Sequence, residues 1–130
     1  IANASVAETL LGTAEENLCR TFGFRCAVLT ERGEEAADIN TFSARVHSAD
    51  GKCRRSRSYR TGMLDRVGGG DAFAGGFLHE YLDRKEDLEQ ALQFAVGACI
   101  VKQTVDGDLC LAEKDAVWDF IHEKQRSVRR

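Results

Sequence analysis

Residues Asp65–Gly76 read DRVGGGDAFAGG, and the reading of this stretch decides the fold. Three consecutive glycines, Gly68, Gly69 and Gly70, stand between aspartates and precede apolar residues at helical spacing: Phe73, Phe77, Leu78 and Tyr81. Glycine reaches backbone angles closed to other residues, and the first N–H groups of a helix lack partners within it. With the positive end of the helix dipole, these groups make an anion site best suited to phosphate. Asp71 is awkward there, because a carboxylate repels a phosphate. Accepting a proton from an attacking hydroxyl is one reason for its presence. A plain helix cap behind a tight turn is the other, and GGGD alone leaves both open.

The rest of the chain sets the frame. Its 130 residues amount to one domain, and 43% apolar with 30% charged content can build a core. No apolar run approaches the roughly 20 residues of a membrane-spanning helix, so no membrane partner is expected. A net charge of −3 gives no reason to expect a nucleic-acid surface. Five widely spaced cysteines without a C-x-x-C pair read as a reduced, cytoplasmic protein with no zinc site. Cys53, Cys99 and Cys110 read as packed thiols, and the three histidines carry no role. The chain starts IANASV, its only methionine is Met63, and it has no proline, where usage of about 5% would give roughly six. It reads as a piece of a longer protein.

Working outward, Ser5 with Glu8 and Thr13 with Glu16 form capping boxes for two short helices, closed by Gly12 and Gly23. Arg25–Thr30, RCAVLT, reads as a strand of a parallel sheet covered on both faces. ERGEEAADIN reads as a polar loop. In TFSARVH, Phe42, Ala44 and Val46 alternate onto one face of a strand. Asp50-Gly51 is a hairpin turn, and KCRRSRSY returns as a basic strand. Beyond the glycines, Asp87 and Gln90 cap a helix carrying Leu88, Ala91, Leu92, Ala95 and Cys99. VDGDLCLA is a loop before a last helix with Val117, Phe120 and Ile121, and the basic tail EKQRSVRR reads as frayed or partner-bound. The pattern is α/β with an inserted hairpin.

DRVGGGDAFAGGF resembles the D-x-x-G-x-G-D signature of the ribokinase-like, or PfkB, carbohydrate kinases. Its Asp-Arg-Val opening is most similar to the 2-keto-3-deoxygluconate kinase branch. LTERGEEAADIN resembles that branch's strand-and-loop segment, with Asp38 and Asn40 keeping its ending, and VGACIVKQTVDGDLCL resembles its A-L-K-H-T-x-x-G-D-x-N-L element. The resemblance covers nearly the whole chain but only the C-terminal part of such a kinase. It implies a three-layer αβα fold, the C-terminal part of a doubly wound, mainly parallel sheet. Residues 1–130 would be the nucleotide-binding and catalytic portion of one kinase domain, without its N-terminal portion.

The resemblance also implies roles. Asp71 matches the catalytic base, and Gly68, Gly69 and Gly70 match the anion hole that holds charge on the transferring phosphoryl group. Asp65 matches an aspartate that in many relatives helps bind a monovalent cation such as K+; a strand-end aspartate held by N–H groups is the other reading. Arg66 replaces the usual threonine and suits the carboxylate of a sugar acid, a surface arginine being the alternative. Asp108 matches an acceptor-sugar residue, with Asp106 a competing assignment. Thr30, at a strand end where open α/β sheets place ligands, resembles a nucleotide-side residue. Gly97 and Ala98 fall where small residues make room for adenine, or serve helix packing.

ATP, Mg2+ and a sugar acid are the implied ligands. Asn3 matches the start of an N-x-x-E element that works through magnesium-bound water, but Val6 stands in its acidic slot, with Glu8 nearby. Lys52, Arg54, Arg55, Arg57 and Arg60 read either as a draw for anionic ligands or as a solvated hairpin face. A kinase for fructose or ribose, and a non-catalytic nucleotide-binding module, are the competing functions. A half sheet would need another copy, or its missing half, as partner.

Overall fold

The computed structural model describes residues 15–36, 39–62, 64–83 and 87–127. Helix α1 (Glu15–Phe22) ends at Gly23, whose φ of +66° is the left-handed cap expected there. The expected first helix, its Ser5 and Glu8 box, and Thr13 lie outside the described residues.

Four strands follow: β1 (Cys26–Ala36), β2 (Ile39–Ser48), β3 (Cys53–Arg55) and β4 (Tyr59–Gly62). All pairings are antiparallel, and β2 is the hub. β1 runs along it from Cys26↔Ser48 to Ala36↔Ile39, β3 pairs with its Arg45–His47 end, and β4 with its Ile39–Phe42 end. Two expectations are corrected here. The polar run Glu31–Ala36 is not loop but the second half of β1. And β1 pairs antiparallel rather than parallel among the described residues. A parallel neighbour needs a crossover of a dozen or more residues, whereas Ile39 follows Ala36 closely enough to fold straight back. Charge supports the extension: Glu31 bonds Arg45 Nη1 at 2.9 Å and also pairs with Arg55, so three polar residues form a cross-strand ladder.

The hairpin at Asp50-Gly51 is as expected, with Gly51 at φ +85° and its N–H donating to the Ser48 carbonyl at 2.9 Å. The returning basic strand is split into β3 and β4 at Ser56. There the Ser56 N–H donates to the Ala44 carbonyl at 2.8 Å, while Ser56 Oγ accepts from the Ala44 N–H at 2.9 Å. A side chain thus does what a backbone carbonyl would do in an unbroken ladder.

Helices α2 (Gly69–Asp83), α3 (Leu88–Gln103) and α4 (Lys114–Ser127) complete the chain. Asp87 caps α3 by accepting from the Glu89 and Gln90 N–H groups. The alternation of β2 sends Phe42, Ala44 and Val46 into one core with Phe73 and Phe77 of α2 and Leu88, Leu92, Ala95, Cys99 and Ile100 of α3. On the opposite face, Ala27 packs with Leu18 and Cys19 of α1. The sheet is therefore covered on both sides, and the three-layer αβα arrangement stands. α3 is buried almost all round, because α4 closes its outer side through Val117 and Ile121 against Phe94 and Ala98. Of the basic tail expected to be frayed or partner-bound, the part up to Ser127 is helical.

Candidate active site

The glycine turn is built by backbone geometry. Gly68 sits at φ +76°, and a Cβ there would lie 1.9 Å from the Asp108 carbonyl oxygen. The turn is thus pressed against the VDGD loop. Gly69 is buried over Cys99 and Gln103 of α3, while a Cβ on Gly70 would meet nothing within 4 Å. Gly70 is open to whatever approaches the start of α2. The Ala72 N–H donates to the Gly68 carbonyl at 2.9 Å, opening the helix. Asp71 lies exposed in its first turn.

The segment entering this turn is tied down from below. The Leu64 and Asp65 N–H groups donate to the Gln103 carbonyl at 2.9 and 3.2 Å, capping the C-terminal end of α3. The Asp65 carboxylate accepts from the Val67 N–H at 2.9 Å and from the Gly107 N–H at 3.1 Å, one on each oxygen. The Val67 bond, then the Gly107 bond and the Lys102 charge, hold this carboxyl below its ordinary value. Lys102, only 1% exposed, donates from Nζ to the Val105 carbonyl at 3.1 Å. Behind Gly69, Gln103 Nε2 donates to Cys99 Sγ at 3.4 Å. Burial pushes the Cys99 thiol up to about 11, so it stays protonated at neutral pH.

Of the residues singled out in the sequence, Asp65, Gly68, Gly69, Gly70, Asp71 and Asp108 come together around this turn. Arg66 is exposed on the same turn. Asp106 shares the Gly107 N–H with Asp65, at 3.1 Å. Thr30 is exposed in mid-β1, opposite Ala44, not at a strand end as expected. Gly97 and Ala98 lie within helix packing. A Cβ on Gly97 would stand 2.7 Å from Ile121 Cδ1, and Ala98 is the closest neighbour of the space beside Gly76, at 3.2 Å. The 200° of helical turn between Gly97 and Cys99 puts Gly97 on the side of α3 away from Gly69. Asn3, Val6, Glu8 and Asp38 lie outside the described residues.

Sequence reasoning missed Lys102, Gln103 and Gly107. The visible signal was the D-G-D triplet, since Gly107 takes φ +94°. Cys53 and Cys110 are exposed rather than packed. In the basic hairpin, Lys52 pairs with Asp50 at 2.7 Å and Arg55 with Glu31, so part of the run is spent on local partners. An open cavity of about 450 Å3, lined by Arg25, Lys52, Tyr81 and Asp87, lies at the far end of α2. Tyr81 is twelve residues from Gly69, roughly 18 Å along the helix, so this cavity is separate from the turn.

An open Gly70 and a helix N-terminus meet at this turn, where the Gly69 N–H donates to the Arg66 carbonyl at 3.4 Å. As to a metal, among the described residues no group of three or more His, Cys, Asp or Glu comes together. Nor is any described helix long and apolar enough to cross a membrane.

A three-layer αβα fold with a glycine turn and an aspartate opening one helix defines a class, the ribokinase-like kinases. Residues 1–113 match the pfkB family of carbohydrate kinases, and the chain belongs to that family. The 2-dehydro-3-deoxygalactonokinase of Haloferax volcanii is 31% identical over 105 residues, covering 81% of this chain and 30% of that protein. The crystal structure of 2-dehydro-3-deoxygluconokinase from Thermotoga maritima matches with a TM-score of 0.81 at 26% identity, over 93% of this chain and 40% of that one. A PfkB family carbohydrate kinase from Listeria grayi gives 0.81 at 22% identity, with 93% and 40% covered, and shares the fold. The chain thus spans less than half the length of these relatives.

Proposed function

We propose that this chain is the nucleotide-binding and catalytic C-terminal portion of an ATP-dependent kinase whose acceptor is 2-keto-3-deoxygluconate or a close sugar acid. The observation that carries the reading is Asp71, exposed in the first turn of α2 directly behind Gly68–Gly70, with the Asp108 loop packed against Gly68. Its support for the acceptor class is the naming of both curated and solved relatives as 2-dehydro-3-deoxy sugar-acid kinases.

Asp71 accepts the proton of the acceptor hydroxyl. The freed oxygen forms a bond to the γ-phosphorus, the bond from that phosphorus to the β,γ-bridging oxygen breaks, and ADP leaves with the electron pair. The N–H groups of the glycine turn face the charge on the phosphoryl oxygens, where positioning and charge stabilisation do most of the work. Asp108 accepts bonds from acceptor hydroxyls, and Arg66 offers a fork to the carboxylate of a sugar acid. Mg2+ when bound would offset phosphate charge; Asp65 keeps lone pairs for a K+ ion beside the two N–H bonds it accepts. Its partners are a sugar acid and ATP in the cytoplasm.

The test is ADP release from ATP and Mg2+ by the intact protein carrying this chain, with 2-keto-3-deoxygluconate, fructose and ribose offered in parallel. Asp71→Asn is expected to slow turnover by roughly 10²–10⁴ with nucleotide binding retained. Wild-type speed in that variant removes Asp71 from the mechanism. Turnover on fructose or ribose alone discards the sugar acid, and ATP binding with no turnover at all favours a binding module.

A further inference from the structure

We infer that Asp65 is a positioning residue, whose carboxylate clasps the Asp106–Asp108 loop to the glycine turn and so fixes Asp108 relative to Asp71. Its consequence for turnover rests on the kinase reading above; the clasp itself does not.

The loop needs such a tie. Thr104–Cys110 is exposed along its whole length and has no regular secondary structure, so it has little packing of its own to hold it. It meets the glycine turn, 42 residues away in sequence, through the polar contact Asp65–Gly107. One carboxylate oxygen takes the Val67 N–H at 2.9 Å and the other the Gly107 N–H at 3.1 Å, an N–H that also reaches Asp106 Oδ1 within the loop at 3.1 Å, so that only the Asp65 half of this bond ties the loop to the turn. The same side chain therefore shapes the turn before Gly68 and anchors the loop before Asp108. The neighbouring contact is steric: the space a Gly68 side chain would need is held by the Asp108 carbonyl. A third hold comes from Lys102, buried beneath, which donates to the Val105 carbonyl at the root of the loop. The two aspartates on either side of the turn thus divide the labour. Asp71 is exposed and free to face a ligand, whereas Asp65 is occupied with backbone.

A carboxylate can serve both N–H groups, because each oxygen accepts. A carboxamide has one accepting oxygen and opposes the second N–H with its own hydrogens. The clasp therefore predicts a graded series, with Asp65→Asn losing one bond and Asp65→Ala both. A cation ligand at this position predicts something else, a loss of response to K+ with no effect on the loop backbone.

The experiment measures amide hydrogen exchange at Val67 and Gly107 together with steady-state kinetics of the intact protein, for wild type, Asp65→Asn and Asp65→Ala. Unchanged protection of the Val96 and Ile100 amides in α3 reports that each variant is folded. Exchange at Gly107 is expected to rise in the order wild type, Asn, Ala. In the same order, kcat/KM for the acceptor is expected to fall by about 10- to 100-fold in all, the scale of a small misplacement. KM for ATP and the K+ response stay as in wild type. Unchanged Gly107 exchange in Asp65→Ala overturns the clasp. So does faster exchange with unaltered acceptor kinetics, or an effect confined to the K+ response. If wild type turns over no sugar acid, the kinase reading fails, and the exchange arm still decides the clasp.

Discussion

At Gly68 the chain meets two demands that glycine alone satisfies. The φ of +76° strains any residue with a Cβ, by about 1–2 kcal/mol, and the Cβ itself would stand 1.9 Å from a backbone oxygen that has to move. Gly70, two residues on, has neither constraint, since its Cβ position is open space. The two glycines therefore separate structure from ligand approach. Gly68→Ala is expected to lower unfolding stability by about 1–3 kcal/mol, read from the urea midpoint, and to weaken acceptor binding by shifting Asp108. Gly70→Ala is expected to hold or slightly raise stability, as alanine favours a helix by up to about 1 kcal/mol, while turnover falls because the methyl group occupies the phosphate's approach. Equal losses of stability in both would contradict this division. The run of glycines before Asp71 was legible in the sequence because glycine clusters mark backbone with special duties. The Asp65–Gly107 bond was not, since a contact between two loops leaves no periodic trace.

Among the elements, legibility followed periodicity. Phe42, Ala44 and Val46 alternate and are all buried, and the apolar spacing of α3 gave its inward face, because both patterns answer to burial. The second half of β1 was misread as loop because its stability comes from pairs across strands. Glu31 looks like a solvated acid until Arg45 and Arg55 are brought beside it by the fold. Leu78 shows the converse: it fits the helical spacing of α2 yet is half exposed. Gly97 was open to two readings, and packing answers the steric question. Ile121 is fully buried, so its Cδ1, 2.7 Å from a Cβ on residue 97, has no room to withdraw. Gly97→Ala is expected to destabilise the chain by about 1 kcal/mol net, an overpacking cost of about 1–3 kcal/mol partly offset by helix propensity. Chemical denaturation measures it, and nucleotide titration of the same variant is the control. A variant of unchanged stability that binds ATP more weakly would return Gly97 to the nucleotide side.

At the scale of the whole molecule, the described residues present an edge. Among the described residues β1 is bonded on one side only, to β2, over ten of its eleven residues, and a strand of that length with an open flank is a template for further pairing. Its N-terminal half is apolar, Cys26 to Leu29, and Val28 already reaches the main core. Nearby, the stacked rings of Phe22 and Phe24 lie exposed, and around the glycine turn so do Leu64, Val67, Val105, Leu109 and Leu111. Scattered apolar residues need no explanation, but two groups flanking an open sheet edge and a candidate active site are surfaces suited to being covered. The solved relatives of the same fold are more than twice as long, so a sheet continued past β1 by another segment or another copy is compatible with the family's architecture. The expectation is that the 130-residue chain by itself associates. Sedimentation across micromolar to millimolar concentration, the range in which exposed edges self-associate, should give an average mass above that of one chain and falling on dilution. A single species at the mass of one chain throughout would mean that the edge is protected, and that the apolar groups beside it are tolerated as they stand.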